Sequence, residues 1–105
     1  MKTTHNKLVR DRIPEIIRED GKTPVCRTLS QEEYLAELRK KLQEEVREFL
    51  EANDPAELAD ICEVIDALAE LLGGKERILQ IQQRKRESNG AFAERIFLES
   101  VLSEE

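Results

Sequence analysis

The sequence is poor in the residues that build large cores. It has no tryptophan, one tyrosine and three phenylalanines, so aromatic residues make up 4% of the 105 residues, whereas charged residues make up 38%. A chain of this length forms one small domain, and a shortage of large apolar side chains leaves that domain a thin core. We therefore expect a single domain over residues 1–105 that needs a partner copy to bury enough apolar surface.

Cysteine and histidine are too scarce to form the common transition-metal sites. Cys26 and Cys62 are far apart and lack CxxC spacing, and His5 is the only histidine. This pattern argues against a zinc site or a paired redox motif. We expect both thiols to be reduced, with Cys62 packed beside an apolar stripe as a small core side chain.

Long apolar runs are also missing. No stretch approaches the ~18 residues that a membrane span requires, and the opening sequence MKTTHNKLVRDR has no apolar core of the kind found in signal peptides. We expect a cytoplasmic protein that does not contact a membrane. The net charge of −6 disfavours general binding to nucleic acid.

The chain does contain helical periodicity. A first helical stretch is predicted over residues 6–20, in which Pro14 either kinks the helix or begins a second piece over residues 14–20. Residues 22–29 are typical of an extended connector. A fourth helix is predicted over residues 76–88, and the form of the closing segment AFAERIFLESVL that follows is left open. The predicted class is all-α, a four- to five-helix bundle completed by oligomerisation.

The second and third helices form the predicted centre of this bundle. Ser30 and Glu33 make a capping box for the second helix, which should run to Ala52. Asp54 caps the third helix, with Pro55 in its first turn and Glu57 completing another capping box. Because the turn between them is short, the two helices should form an antiparallel hairpin. The predicted buried stripes are Leu35, Leu38, Leu42, Val46 and Phe49, and then Leu58, Ile61, Ile65, Leu68 and Leu72.

Two pairs of carboxylates lie on the same flank of this predicted hairpin. Relative to the second helix's stripe, Glu45 lies at about −60° and Glu48 at about −120°, at ~100° per residue. Relative to the third helix's stripe, Glu57 lies at about −80° and Asp60 at about −140°. Displacements in the same sense meet on one flank of an antiparallel pair, whereas Asp66, at about +100°, lies on the other flank.

Clustered carboxylates repel one another unless a cation lies between them. Oxygen-only ligands suit Mg²⁺, with Mn²⁺ as an alternative, and Mg²⁺ commonly meets protein together with phosphates. We therefore predict a Mg²⁺–polyphosphate site with four ligands, and Lys41 and Glu63 as neighbours of those ligands. The alternative is that the acids form a solvated helix face, because pairs spaced i, i+3 are common in charged helices. The predicted ligands are Glu45, Glu48, Glu57 and Asp60.

Three segments resemble a known family. NKLVRDRIPEII, KLQEEVREFLEA and ELADICEVIDAL are together similar to the MazG-like nucleoside triphosphate pyrophosphohydrolases of the all-α NTP pyrophosphatase superfamily. That superfamily carries ExxE on one helix and ExxD on the next, which here correspond to Glu45-x-x-Glu48 and Glu57-x-x-Asp60. The resemblance covers residues 6–98. It departs from the family in the short gap between the two motifs, and in Asn89, where a basic residue is more usual.

The resemblance implies Mg²⁺-dependent hydrolysis of a nucleoside triphosphate to a nucleoside monophosphate and pyrophosphate, by a homodimer or homotetramer, in control or housecleaning of the nucleotide pool. Glu45 or Glu48 would accept the proton of the attacking water. The candidate substrate-binding residues are Lys7, Arg10, Asp11, Arg12, Lys85 and Arg86, with Asp11 included on the resemblance alone.

Two other functions remain open at this point. One is a phosphoribosyl-ATP pyrophosphohydrolase-like activity, which would use the same metal chemistry on a different substrate. The other is a non-catalytic helical dimerisation module. Each basic candidate is also compatible with an ordinary surface charge that pairs with a nearby acid.

Overall fold

The computed structural model describes residues 1–104, and its architecture is all-helical. The described chain contains four helices, α1 (Ile13–Glu19), α2 (Gln31–Ala52), α3 (Pro55–Leu71) and α4 (Lys75–Asn89). No strand occurs among the described residues, and none of the described helices combines the length and apolar character needed to cross a bilayer. The all-α prediction is therefore confirmed.

Both ends of α2 and the start of α3 lie where local sequence signals placed them, but Glu57 does not complete the predicted second capping box. Ser30 and Glu33 cap α2 reciprocally, with each side chain bonded to the other residue's backbone amide at 3.2 Å. Asn53, in a left-handed conformation with φ of 54°, ends α2. The carboxylate of Asp54 then accepts a hydrogen bond from the Ala56 amide at 2.9 Å, with Pro55 in the first turn of α3. These local contacts stop one helix and start the next within two residues.

The first predicted helix is shorter than expected. Only Ile13–Glu19 is helical, with a proline in its first turn, and residues 6–12 lie outside the helix. Pro14 therefore begins a helix rather than kinking a longer one, because proline lacks the amide hydrogen that an interior position requires. In the described chain α1 packs against no other helix.

Packing is concentrated between α2 and α3, with a smaller contact between α3 and the start of α4. The buried apolar residues of the described chain are Leu38, Val64 and Ala69. Ile65 is 44% exposed, although the sequence placed it at the centre of the buried stripe. The contact face of α3 is therefore centred on Val64, about 100° around the helix from the predicted position.

Several expected core residues lie at the surface. Cys62 is exposed rather than packed, and so is Cys26. Phe92 and Phe97 are 97% and 87% exposed, so neither belongs to a core within this chain. Both phenylalanines lie in a non-helical segment that follows α4, and they remain candidates for contact with another subunit.

Candidate metal and phosphate site

Three carboxylates from α2 and α3 meet at the contact between these helices. One carboxylate oxygen from each of Glu45, Glu57 and Asp60 lies within 4.8 Å of the other two. We call these three residues the acidic cluster. Three of the four predicted metal ligands thus come together, although exposed acids also cluster in proteins without a cation.

The corrected face of α3 explains why the cluster forms. Measured from Val64, Glu57 lies at about +20° and Asp60 at about −40°, so both share the face that packs on α2. Glu45 follows Leu38 by seven residues and therefore lies within about 20° of it on α2. The cluster is thus part of the α2–α3 contact and not of an outer flank.

Glu45 is the most unusual member of the cluster. It is 7% exposed, and its Oε2 atom has no hydrogen-bond partner within the described chain. Such an oxygen loses its water without gaining a donor in return, which is costly for a carboxylate. An unpartnered buried oxygen in a set of carboxylates is the donor chemistry that a divalent cation satisfies, so these residues fit Mg²⁺ or Mn²⁺.

The electrostatics of the cluster disfavour full ionisation. Burial raises the pKa of Glu45, and the neighbouring Glu48 and Asp60 carboxylates raise it further against the opposing effect of Lys41. The pKa of Glu57 is also raised, first by desolvation and then by Asp60 and Glu45. Mutual repulsion of this kind is relieved either by protons or by a cation.

Two basic side chains face the cluster. Lys41 Nζ lies 3.5 Å from Glu45 Oε1, the i, i+4 pair expected from the sequence. Arg10 donates a 2.7 Å hydrogen bond to Asp60 Oδ1 and lies 3.7 Å from Glu63 Oε1. Arg10 precedes α1, so this ion pair ties the opening segment of the chain to α3.

The remaining predicted residues lie around or outside this centre. Glu48 is half-buried and neighbours Glu45, but it is not one of the three carboxylates that converge. Arg12 pairs locally with Glu15 at 3.3 Å. Asp66 lies 3.4 Å from Lys75 and outside the acidic cluster. For Lys7, Asp11, Lys85 and Arg86 the described chain shows no ion pair with the cluster, so their substrate roles stay predictions.

The acidic cluster is partly exposed, since the Asp60 side chain is 39% accessible. Two surface depressions lie elsewhere, one against α1 at Ile16 and Ile17, and one along the segment that follows α4. Neither is lined by a carboxylate of the acidic cluster. Enclosure of a phosphate chain at the cluster would therefore need a further wall.

Comparison with known proteins gives one partial likeness. An uncharacterised protein of Mycolicibacterium smegmatis is 62% identical to this chain over 47 residues, which cover 45% of this chain and 48% of the relative. The chain thus spans about half the length of the relative that it matches. No family model and no solved structure matches the chain.

Proposed function

We propose that the protein is a Mg²⁺-dependent nucleoside triphosphate pyrophosphohydrolase. The observation that carries the proposal is the buried, unpartnered Glu45 oxygen within a cluster of three carboxylates. A solvated acidic face, the main alternative, would leave each oxygen hydrated, and burial of one without a donor would bring no benefit. The resemblance of the two acidic motifs to those of MazG-like enzymes agrees with this assignment.

The residues of the site have distinct roles in this proposal. Glu45, Glu57 and Asp60 hold the cation, and Glu48 completes the set or accepts a proton. A bound Mg²⁺ would neutralise phosphate charge and lower the pKa of water. The oxygen of a water molecule would form a bond to the α-phosphorus as its proton passes to Glu48. The bond between the α-phosphorus and the α–β bridging oxygen would break, and its electron pair would leave with pyrophosphate. The products are a nucleoside monophosphate and pyrophosphate.

Arg10 is the basic residue best placed to meet phosphate. Its guanidinium already lies against Asp60, with a second carboxylate, Glu63, at 3.7 Å. A planar guanidinium binds phosphate oxygens in the same two-pronged way as it binds carboxylates. Arg10 would therefore exchange a carboxylate partner for a phosphate when substrate arrives.

The proposed active form is an oligomer. We infer that α2 and α3 act as a central antiparallel hairpin and that helices of a second copy complete the bundle. The partial exposure of the acidic cluster and the small core of the single chain both support this inference.

The test is pyrophosphate release from a panel of nucleoside triphosphates with Mg²⁺, with phosphoribosyl-ATP as a separate arm. Release that depends on Mg²⁺ and falls on the order of 10²-fold or more in Glu48→Gln is expected. Preference for phosphoribosyl-ATP would assign the alternative enzyme. No release, combined with no thermal shift from Mg²⁺, Mn²⁺ or a nucleotide analogue, would favour a helical dimerisation module.

A further inference from the structure

The single chain is far more open than a compact protein of its size. Its accessible surface is 9923 Å², whereas a compact monomer of 12.2 kDa exposes about 6,100 Å². Its radius of gyration is 19.4 Å, against about 13 Å for a compact chain of this length. The excess of roughly 3,800 Å² exceeds the ~800 Å² per partner that a standard interface buries.

Part of this excess is one apolar segment. Residues 91–102, which we call the strap, follow α4 without helical structure. Its large apolar side chains are between 73% and 97% exposed, and several repeat at i, i+4 spacing. Water contact over such a segment is unfavourable, so it should have a covering surface. These residues are Phe92, Ile96, Phe97, Leu98, Val101 and Leu102.

A second uncovered surface lies on α3. Leu58, Ile65 and Leu72 are 46%, 44% and 60% exposed. Their spacing of seven residues places them within about 40° of one another, so they form one stripe along the helix. We call this stripe the open face. It is distinct from the Val64 side, which packs on α2, and a heptad stripe of this kind usually packs against another segment.

We propose that the strap of one chain covers the open face of a second copy, giving a two-fold dimer. The occupant is a second copy because the single chain leaves both surfaces uncovered, with every large apolar side chain of the strap at least 73% exposed. The excess accessible surface of the single chain is also larger than the area that each partner buries in a standard interface. A two-fold arrangement places both straps on both open faces at once, so the contact forms twice. This inference depends on apolar surface alone, and it stands whether or not the site hydrolyses nucleotides.

The first test is sedimentation equilibrium of the full chain. The wild type should be dimeric at micromolar concentration, and Phe97→Asp and Ile65→Asp should each weaken association at least about 10-fold. The control Gln31→Asp adds the same charge at an exposed position at the start of α2 and should change nothing. A monomeric wild type, or two aspartate variants that dimerise normally, would overturn the proposal.

If a variant fails to fold, hydrogen exchange of the wild type tests whether the strap is covered in the dimer. Amides of residues 91–102 should exchange slowly in the dimer and fast after dilution to monomer. A strap that exchanges freely in the dimer refutes the contact, and one that stays protected in the monomer covers its own chain instead.

Cross-linking tests which copy receives the strap. One chain keeps Cys62 in a Cys26→Ser background, and the other carries Glu99→Cys with both native cysteines replaced by serine. Cys62 is exposed on α3, within about 60° of the open face. Mixing the two with a short bismaleimide should give a cross-linked pair of unlike chains, and its absence in a proven dimer contradicts the proposal. In the matched control Arg39→Cys takes the place of Glu99→Cys.

Discussion

Replacement of Glu45 by glutamine should have opposite effects on stability and on function. The Glu45 side chain is 9% exposed, with Lys41 Nζ 3.5 Å from Oε1 and no partner for Oε2. The substitution keeps the size of the side chain and removes its charge. It therefore measures what the buried charge costs the fold.

The cost follows from the distances. At an effective dielectric constant of about 20, Lys41 at 3.5 Å attracts Glu45 by roughly 5 kcal/mol. Three carboxylates repel it in turn, namely Glu48, Glu57 and Asp60, of which the last two lie within 4.8 Å. Arg10 partly neutralises Asp60, and the remaining repulsion offsets the attraction by Lys41. What remains is the loss of hydration at an unpartnered oxygen, about 1–3 kcal/mol.

Glu45→Gln should therefore raise the melting temperature of the chelator-treated protein at pH 7 by several degrees, since 1 kcal/mol corresponds to about 4–8 °C in a domain of this size. The pKa of Glu45 is raised above 4.5 by burial and then by Glu48. The folded state thus binds the proton more tightly, and wild-type stability falls as pH rises through the window above 4.5. The gain from the variant should grow over that same window.

Metal binding and pyrophosphate release should decrease, although stability increases. Glu45→Gln should abolish the thermal shift produced by Mn²⁺ and reduce pyrophosphate release on the order of 10²-fold or more. Glu44→Gln, which removes the same charge from the same helix outside the acidic cluster, should change neither property. The reasoning is refuted if Glu45→Gln lowers the melting temperature in chelator, or if it retains the full Mn²⁺ shift.

Three further outcomes are expected. Arg10→Ala should raise affinity for Mn²⁺ in calorimetry, because it removes the cation that now pairs with a cluster carboxylate, but it should weaken nucleotide binding; unchanged values for both would exclude Arg10 from the site. Glu33→Gln should destabilise the fold at pH 7, and the difference should disappear as pH falls from about 4.5 to about 2, since Arg27 and then the Ser30 cap lower the pKa of Glu33 to about 2. Lys41→Met should raise the pKa of Glu45 further, which carboxyl NMR titration would detect as a shift to higher pH.

The helix ends were predictable because their causes are local. Ser30 and Glu33 are three residues apart, and Asp54 and Pro55 are adjacent, so the sequence alone contains the whole of each interaction. The predicted start of the first helix was wrong for a related reason. The stretch before Pro14 carries residues compatible with a helix, but α1 packs against no other helix that would stabilise an additional turn.

The buried face of α3 was not predictable from periodicity. Apolar residues occur on two sides of this helix, Ile65 on one and Val64 on the other, so the pattern alone does not say which side meets α2. The ion pair between Arg10 and Asp60 was equally hidden, because it joins residues fifty positions apart. The sequence did indicate Arg10 as a basic candidate, but not its carboxylate partner.

The convergence of Glu45, Glu57 and Asp60 was predicted although the reference stripe on α3 was wrong, whereas Glu48, the fourth predicted ligand, lies outside the acidic cluster. Glu57 and Asp60 are one turn apart, so the angular positions of both change by the same amount when the buried stripe of α3 is corrected. The correction of about 100° brings both residues closer to the face that packs on α2. Glu45 is the informative residue. It lies seven residues after Leu38, at a position where an apolar side chain would strengthen the small core of this chain. A carboxylate at such a position lowers the stability of a protein that has few buried residues. A cation shared with Glu57 and Asp60 would restore that stability.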